Sequence, residues 1–223
     1  MNSATIGAIT IGQSPRDDVV PEVLDVLGRG VQVIQRGAID ELTVEEIQSE
    51  APVPGDSVLV SRMRDGTEVT LRREFVIPRL KQCIHSIEDQ VDLILMLCTD
   101  PFCGLESKKP LLSPGRIIVK LVSGLGFRRL GVVTPVAAQF REQRNKWSPV
   151  AHDVFLQAAS PYGAGDQIVQ AGNALTEKDV ELVVMDCIGY TRAMKAEIRR
   201  ITGRPTVLPT TTIARVAAEL LGG

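Results

Sequence analysis

Residues 93–102 read LILMLCTDPF: five apolar residues run into a cysteine, and the chain then turns polar. A short apolar run closed by turn formers is the pattern of a strand buried on both faces, as in a parallel sheet. Residues 182–191, LVVMDCIGYT, repeat the pattern with the cysteine again at the polar boundary. The two stretches are read as one motif used twice.

Working outward, short apolar runs alternate with amphipathic segments, which predicts βαβ units. TIGAITI (5–11) is a first strand, followed by GQSPRDD and a helix carrying Val19, Val20, Val23, Leu24 and Leu27. Ser14 could cap that helix with Pro15 at its first position, or the regular helix starts later, near Val19. VQVIQRG (31–37) is a second strand. In LTVEEIQSEA (42–51), Thr43 and Glu46 have capping-box spacing. SVLVSRMRDGTEVTL (57–71) departs from the scheme: two β-like runs flank Asp65-Gly66, a tight-hairpin dipeptide. A helix over about 73–89 leads into the opening strand, and 111–126 carries a helix that Gly124 or Gly126 ends. From RRLGVVTPVAAQF (128–140) the scheme restarts, with a helix through Trp147, a strand at 154–160, a helix over 167–175 capped by Asp166, a helix near 191–202, a short strand in PTVLPT and a final helix, TIARVAAELL. TIGAITIGQSP parallels RLGVVTPVAAQ, and RIIVKLVSGL (116–125) parallels TIARVAAELL (212–221).

The expected fold is therefore α/β, with two pseudo-symmetric parallel-sheet half-domains, a cleft between them and an inserted β-hairpin. Residues 1–110 with the C-terminal helix of about 210–223 form the first half, and 111–209 the second. The hairpin is expected to cover the cleft or to make a dimer contact, so a homodimer is one expectation.

Composition narrows the function classes. Lys plus Arg number 25 and Asp plus Glu 27, so there is no basic footprint for nucleic acid. No apolar run approaches the ~20 residues of a membrane span, and MNSATIGAIT lacks the charged and apolar regions of a secretory leader. Cysteines at 83, 98, 103 and 187 have no disulfide-framework or zinc spacing, which predicts a reduced, cytoplasmic setting without a metal. Complete phosphate-binding glycine motifs and the nucleophile elbow of serine hydrolases are absent, and no cofactor is expected.

In open parallel sheets, ligands sit beyond the carboxyl ends of strands. Polar residues gather there in four segments: Gln13, Ser14 and Arg16; Cys98, Thr99 and Asp100; Thr134; and Asp186, Cys187, Gly189 and Tyr190. Helix N-termini beside them would favour an anion. Two thiols facing each other across one carbon can remove a proton from one face and return one to the other, without metal or organic cofactor. The competing reading is that a strand-end cysteine only packs, as free cysteines often do. That reading is preferred for Cys83, on the apolar face of its helix, and His85 and His152 read as surface residues.

The strand with GQSPR, the DCIGY segment and the ending IARVAAELL together resemble the AroM family over essentially the whole chain. That family is placed by similarity near the aspartate/glutamate racemase superfamily. The resemblance implies two α/β halves, cofactor-independent chemistry and one cysteine from each half flanking the substrate, here Cys98 and Cys187. In the racemases the first cysteine is typically followed by Asn-Thr and the second by Thr. Here Thr99-Asp100 and Ile188-Gly189 follow instead, and Asp186 would raise the Cys187 pKa unless its charge is neutralised. The expectation is a racemase- or isomerase-like enzyme acting on a small carboxylate held by Gln13, Ser14, Arg16, Thr99, Asp100, Thr134, Gly189 and Tyr190. The alternative is a non-catalytic small-anion-binding or accessory protein that keeps the cleft.

Overall fold

The computed structural model describes residues 4–28 and 30–222; the first three residues of MNSATIGAIT lie outside it. The element order is β1 (Thr5–Thr10), α1 (Val20–Leu27), β2 (Gln32–Gly37), α2 (Val44–Ser49), β3 (Val58–Arg62), β4 (Glu68–Arg72), α3 (Arg73–Ile87), β5 (Leu93–Leu97), β6 (Leu111–Leu112), α4 (Pro114–Leu125), β7 (Arg129–Thr134), α5 (Phe140–Trp147), β8 (Asp153–Ala158), α6 (Asp166–Thr176), β9 (Leu182–Met185), α7 (Arg192–Thr202), β10 (Thr206–Val207) and α8 (Pro209–Leu221).

Two parallel four-stranded sheets result, ordered β2-β1-β5-β6 and β8-β7-β9-β10. The orders superpose when β1, β2, β5 and β6 are matched to β7, β8, β9 and β10, so the duplication read in the sequence is present in the topology. The repeated apolar runs are the inner strands β5 and β9, and every residue of both is buried.

Local chemistry fixes most boundaries. Thr43 Oγ1 accepts from Glu46 N–H, and Glu46 Oε2 from Thr43 N–H, the predicted capping box of α2. Gly126, in the left-handed region, ends α4. Helix α1 takes the later of the two starts. Ser14 does not cap it, because its N–H and Oγ both donate to the Asp40 carboxylate. Asp166 is the first residue of α6 rather than its cap. The stretch 111–126 begins with a two-residue edge strand, Leu111–Leu112, before α4 starts at Pro114.

The helices α4 and α8 exchange sides. Helix α4 follows the edge strand β6 of the first sheet, yet its Ile118 and Val122 pack with Leu130, Val132 and Trp147 of the second half. Helix α8 follows the edge strand β10 of the second sheet, yet its Ile213, Ala214 and Ala217 pack with Val19, Val20, Val23 and Leu95 of the first.

The hairpin β3–β4 has no counterpart in the second half. It turns at Asp65-Gly66, with Gly66 at φ 98°. It lies against the ends of both sheets: Gln13 N–H donates to Arg62 O, and Gln139 Nε2 donates to Val58 O at 3.0 Å. Ser160 Oγ donates to Glu68 Oε2 near the other end.

Candidate active site

The sequence ends β5 on Cys98 and β9 one residue before Asp186-Cys187, so both thiols emerge at the carboxyl edges of their sheets. The loops are built alike. Asp100 N–H points at Cys98 Sγ at 3.5 Å, and Gly189 N–H points at Cys187 Sγ at 3.5 Å. Thr99 Oγ1 joins the loops by donating to Asp186 O at 3.1 Å. Both cysteines line one cavity of about 390 Å³, within the range of small-molecule sites. Its wall also includes Thr99, Asp100, Arg73, Gln143, Lys146, Asp186 and strand β3 from Val58 to Ser61. The hairpin thus roofs the cleft.

Asp186 is fully buried, and its charge is met. Lys146 Nζ reaches both carboxylate oxygens at 2.8 Å and Thr99 O at 2.8 Å, while Trp147 Nε1 donates to Oδ2 at 2.8 Å. Arg73, at the start of α3, donates through Nε to both oxygens of Asp100, at 3.1 and 3.2 Å. Burial raises the Asp100 carboxyl above its usual range, with Arg73 opposing.

Burial also dominates the thiols. It pushes Cys187 up to about 11, against the pull of the Gly189 N–H and the Arg16 cation. Cys98 is driven further above the ordinary thiol range by burial and then by Asp100, with the Asp100 N–H and Lys146 opposing. Cys187 is therefore the easier of the two to ionise.

Of the residues singled out in the sequence, Cys98, Thr99, Asp100 and Cys187 line the cavity, and six others stand outside its wall. Gln13 Oε1 accepts from Arg64 N–H and its Nε2 donates to Ile39 O, so it fastens the hairpin. Ser14 is held by Asp40. Thr134 Oγ1 donates to Gln139 Oε1 at 2.7 Å, and that glutamine holds β3. Arg16 is buried and forked onto Asp18 at 2.8 and 2.7 Å, with further bonds to Thr10 Oγ1 and Tyr162 Oη. Gly189 gives Tyr162 room: a Cβ there would overlap the phenol oxygen. Tyr190 Oη donates to Ala159 O at 2.6 Å. Much of the polar chemistry at the strand ends thus positions the roof and joins the halves.

Gly12 shows how closely the roof sits. A Cβ at residue 12 would overlap Arg62 O and Ser61 Oγ. Gly12→Ala is expected to displace β3 from the β1 loop and cost about 1–3 kcal/mol. Chemical denaturation and proteolysis within 57–72 would register the change; an unaltered midpoint and cleavage pattern would refute the docking.

Lys146, Arg73, Gln143 and Ser61 were not singled out in the sequence. The available signal was the Gln143–Trp147 spacing, which puts a polar residue one turn before the lone tryptophan of an otherwise hydrophilic helix.

Solved structures with the same fold include an allantoin racemase from Klebsiella pneumoniae (TM-score 0.66, 14% identity, covering 99% of this chain and 88% of that one). A maleate cis-trans isomerase from Nocardia farcinica aligns with TM-score 0.63 and 14% identity over 98% of this chain and 92% of that one. An aspartate racemase from Picrophilus torridus aligns with TM-score 0.59 and 11% identity over 98% and 94%. None of the curated proteins matches the sequence. The two-half architecture is that of the racemase and isomerase fold. The family model described as AroM protein matches residues 6–221, and the chain belongs to the AroM family.

No helix is long and apolar enough to cross a membrane, and no cluster of metal-ligating side chains occurs among the described residues.

Proposed function

We propose that the protein is a cofactor-independent racemase- or isomerase-type enzyme that moves a proton at a small carbon acid, with Cys187 and Cys98 as the acid/base pair. The observation that carries this is the presence of both thiols, one from each half, in the wall of a single roofed cavity. The fold shared with racemases and isomerases supports it.

The Cys187 thiolate takes the proton from the substrate carbon, and the electron pair of the broken C–H bond moves onto the adjacent carbonyl as an enolate. The Cys98 S–H then returns a proton from the opposite face, and the carbonyl reforms. Cys187 ends as thiol and Cys98 as thiolate, ready for the reverse direction, and exchange with water resets the pair. Positioned proton donors and acceptors of this kind are worth roughly 10²–10⁴-fold each. The substrate is small, because the cavity is, and carries its acidic C–H beside a carboxyl or a carboxyl-derived carbonyl.

The test is deuterium uptake at that carbon in D₂O, followed by proton NMR. Uptake by the wild type that disappears in both Cys98→Ser and Cys187→Ser is expected. Uptake unchanged in both variants would refute the two-thiol reading.

A second reading, an anion-binding or accessory protein without chemistry, has one observation in its favour: burial keeps both thiols protonated near neutral pH. It predicts ligand binding with no uptake in any variant.

A further inference from the structure

Two neutral polar side chains in the cavity wall have spare hydrogen-bonding groups. Ser61 is 1% exposed, and its Oγ has no hydrogen-bond partner among the described residues. Gln143 is 8% exposed; its Oε1 accepts from Trp147 Nε1 at 3.1 Å, which leaves its amide N–H₂ with no protein acceptor among the described residues. Ser61 comes from the roof and Gln143 from α5, and both face the cavity that holds the thiols. A buried hydroxyl left unpaired costs about 1–3 kcal/mol, a cost that a ligand atom can relieve.

The charged side chains of the same wall are committed. Arg73 is on Asp100 and Lys146 on Asp186. Glu142 adds a third carboxylate, so the wall is net negative and offers no unpaired cation. Bringing a dicarboxylate into it would desolvate two anions without a counter-charge, which is far costlier than burying an amide that finds hydrogen bonds.

We propose that the site selects a carbon acid activated by an uncharged amide-type carbonyl, cyclic or open, over dicarboxylates, and that Ser61 and Gln143 are its specificity-determining anchors. The inference rests on the two-thiol reading for turnover, but it concerns binding and can fail separately.

Isothermal titration of the wild-type chain with the hydantoin of alanine, with N-acetylalaninamide, and with aspartate and maleate decides the selection whether or not chemistry follows. At least tenfold tighter binding of a neutral probe is expected. Equal or tighter binding of the dicarboxylates, or no neutral binding at millimolar probe, overturns the proposal. Where a neutral probe takes up deuterium, Ser61→Ala and Gln143→Met are each expected to raise KM about five- to tenfold with kcat nearly unchanged, the signature of lost uniform binding. Ser61→Ala should not lower the melting temperature of the free protein, because no protein partner is lost. A lower melting temperature with unchanged KM would assign Ser61 a structural role and overturn its place as an anchor. Thiol-dependent uptake by aspartate alone would overturn the selection and leave the two-thiol reading standing. Neutral binding without uptake in any variant would do the reverse.

Discussion

Lys146→Met is expected to destabilise the protein by about 3–5 kcal/mol, the cost of stranding a buried charge whose partner has been removed. For a chain of this length that is a fall of roughly 10 °C in melting temperature. The Asp186 side chain is fully buried and Lys146 is 8% exposed, so water can replace little of what the ammonium supplies. Methionine keeps the length of the stem and removes three hydrogen bonds, two to the carboxylate and one to Thr99 O. Only the Trp147 N–H would remain on the carboxylate. Adding Asp186→Asn should recover a large part of the loss, since the stranded charge is then gone; the double-mutant cycle measures that coupling. A single variant within about 1 kcal/mol of wild type, or a double variant as unstable as the single, would contradict the assignment.

The second large effect concerns pH. A substrate that does not itself ionise in this range should show kcat/KM rising about tenfold per pH unit, hence about a hundredfold from pH 7 to pH 9. The sign follows from the burial of Cys187, whose thiol is pushed up to about 11. Below that pH only the small thiolate fraction can act as base, and the fraction grows as protons are withdrawn. The slope should flatten near pH 11 and vanish in Cys187→Ser. Because kcat/KM reports the free enzyme, a plateau already reached below pH 8 would show that Cys187 is not the base.

The sequence conveyed the frame through features that are local in the chain. Apolar runs such as Leu93–Leu97 cannot be solvent-facing, and Asp65-Gly66 announces its turn. The cysteines could be paired because duplication puts Cys98 and Cys187 at matching strand ends. What stayed hidden was which polar groups face the cavity. Ser14, Arg16 and Thr134 sit where a ligand would be expected, yet Asp40, Asp18 and Gln139 reach them first. Those partners come from distant segments, and no periodicity reveals them. Lys146 lies on FREQRNKW, a helix that reads as a solvated surface, and its burial depends on Asp186 arriving from the opposite loop. Ser61 alternates in a hairpin strand whose faces could be told apart only once the hairpin was seen lying across the cleft.

The crossed helices have a consequence for how this chain can be cut. Neither half owns its whole core: the final helix covers Val19, Val20 and Val23 beside the first strand, while the helix after β6 covers Trp147. Trimming the C-terminus therefore strips apolar surface near the N-terminus. A break placed at the midpoint of the chain leaves two fragments, each still needing a helix the other carries. The molecule is one interlocked unit, although its sheets look like two.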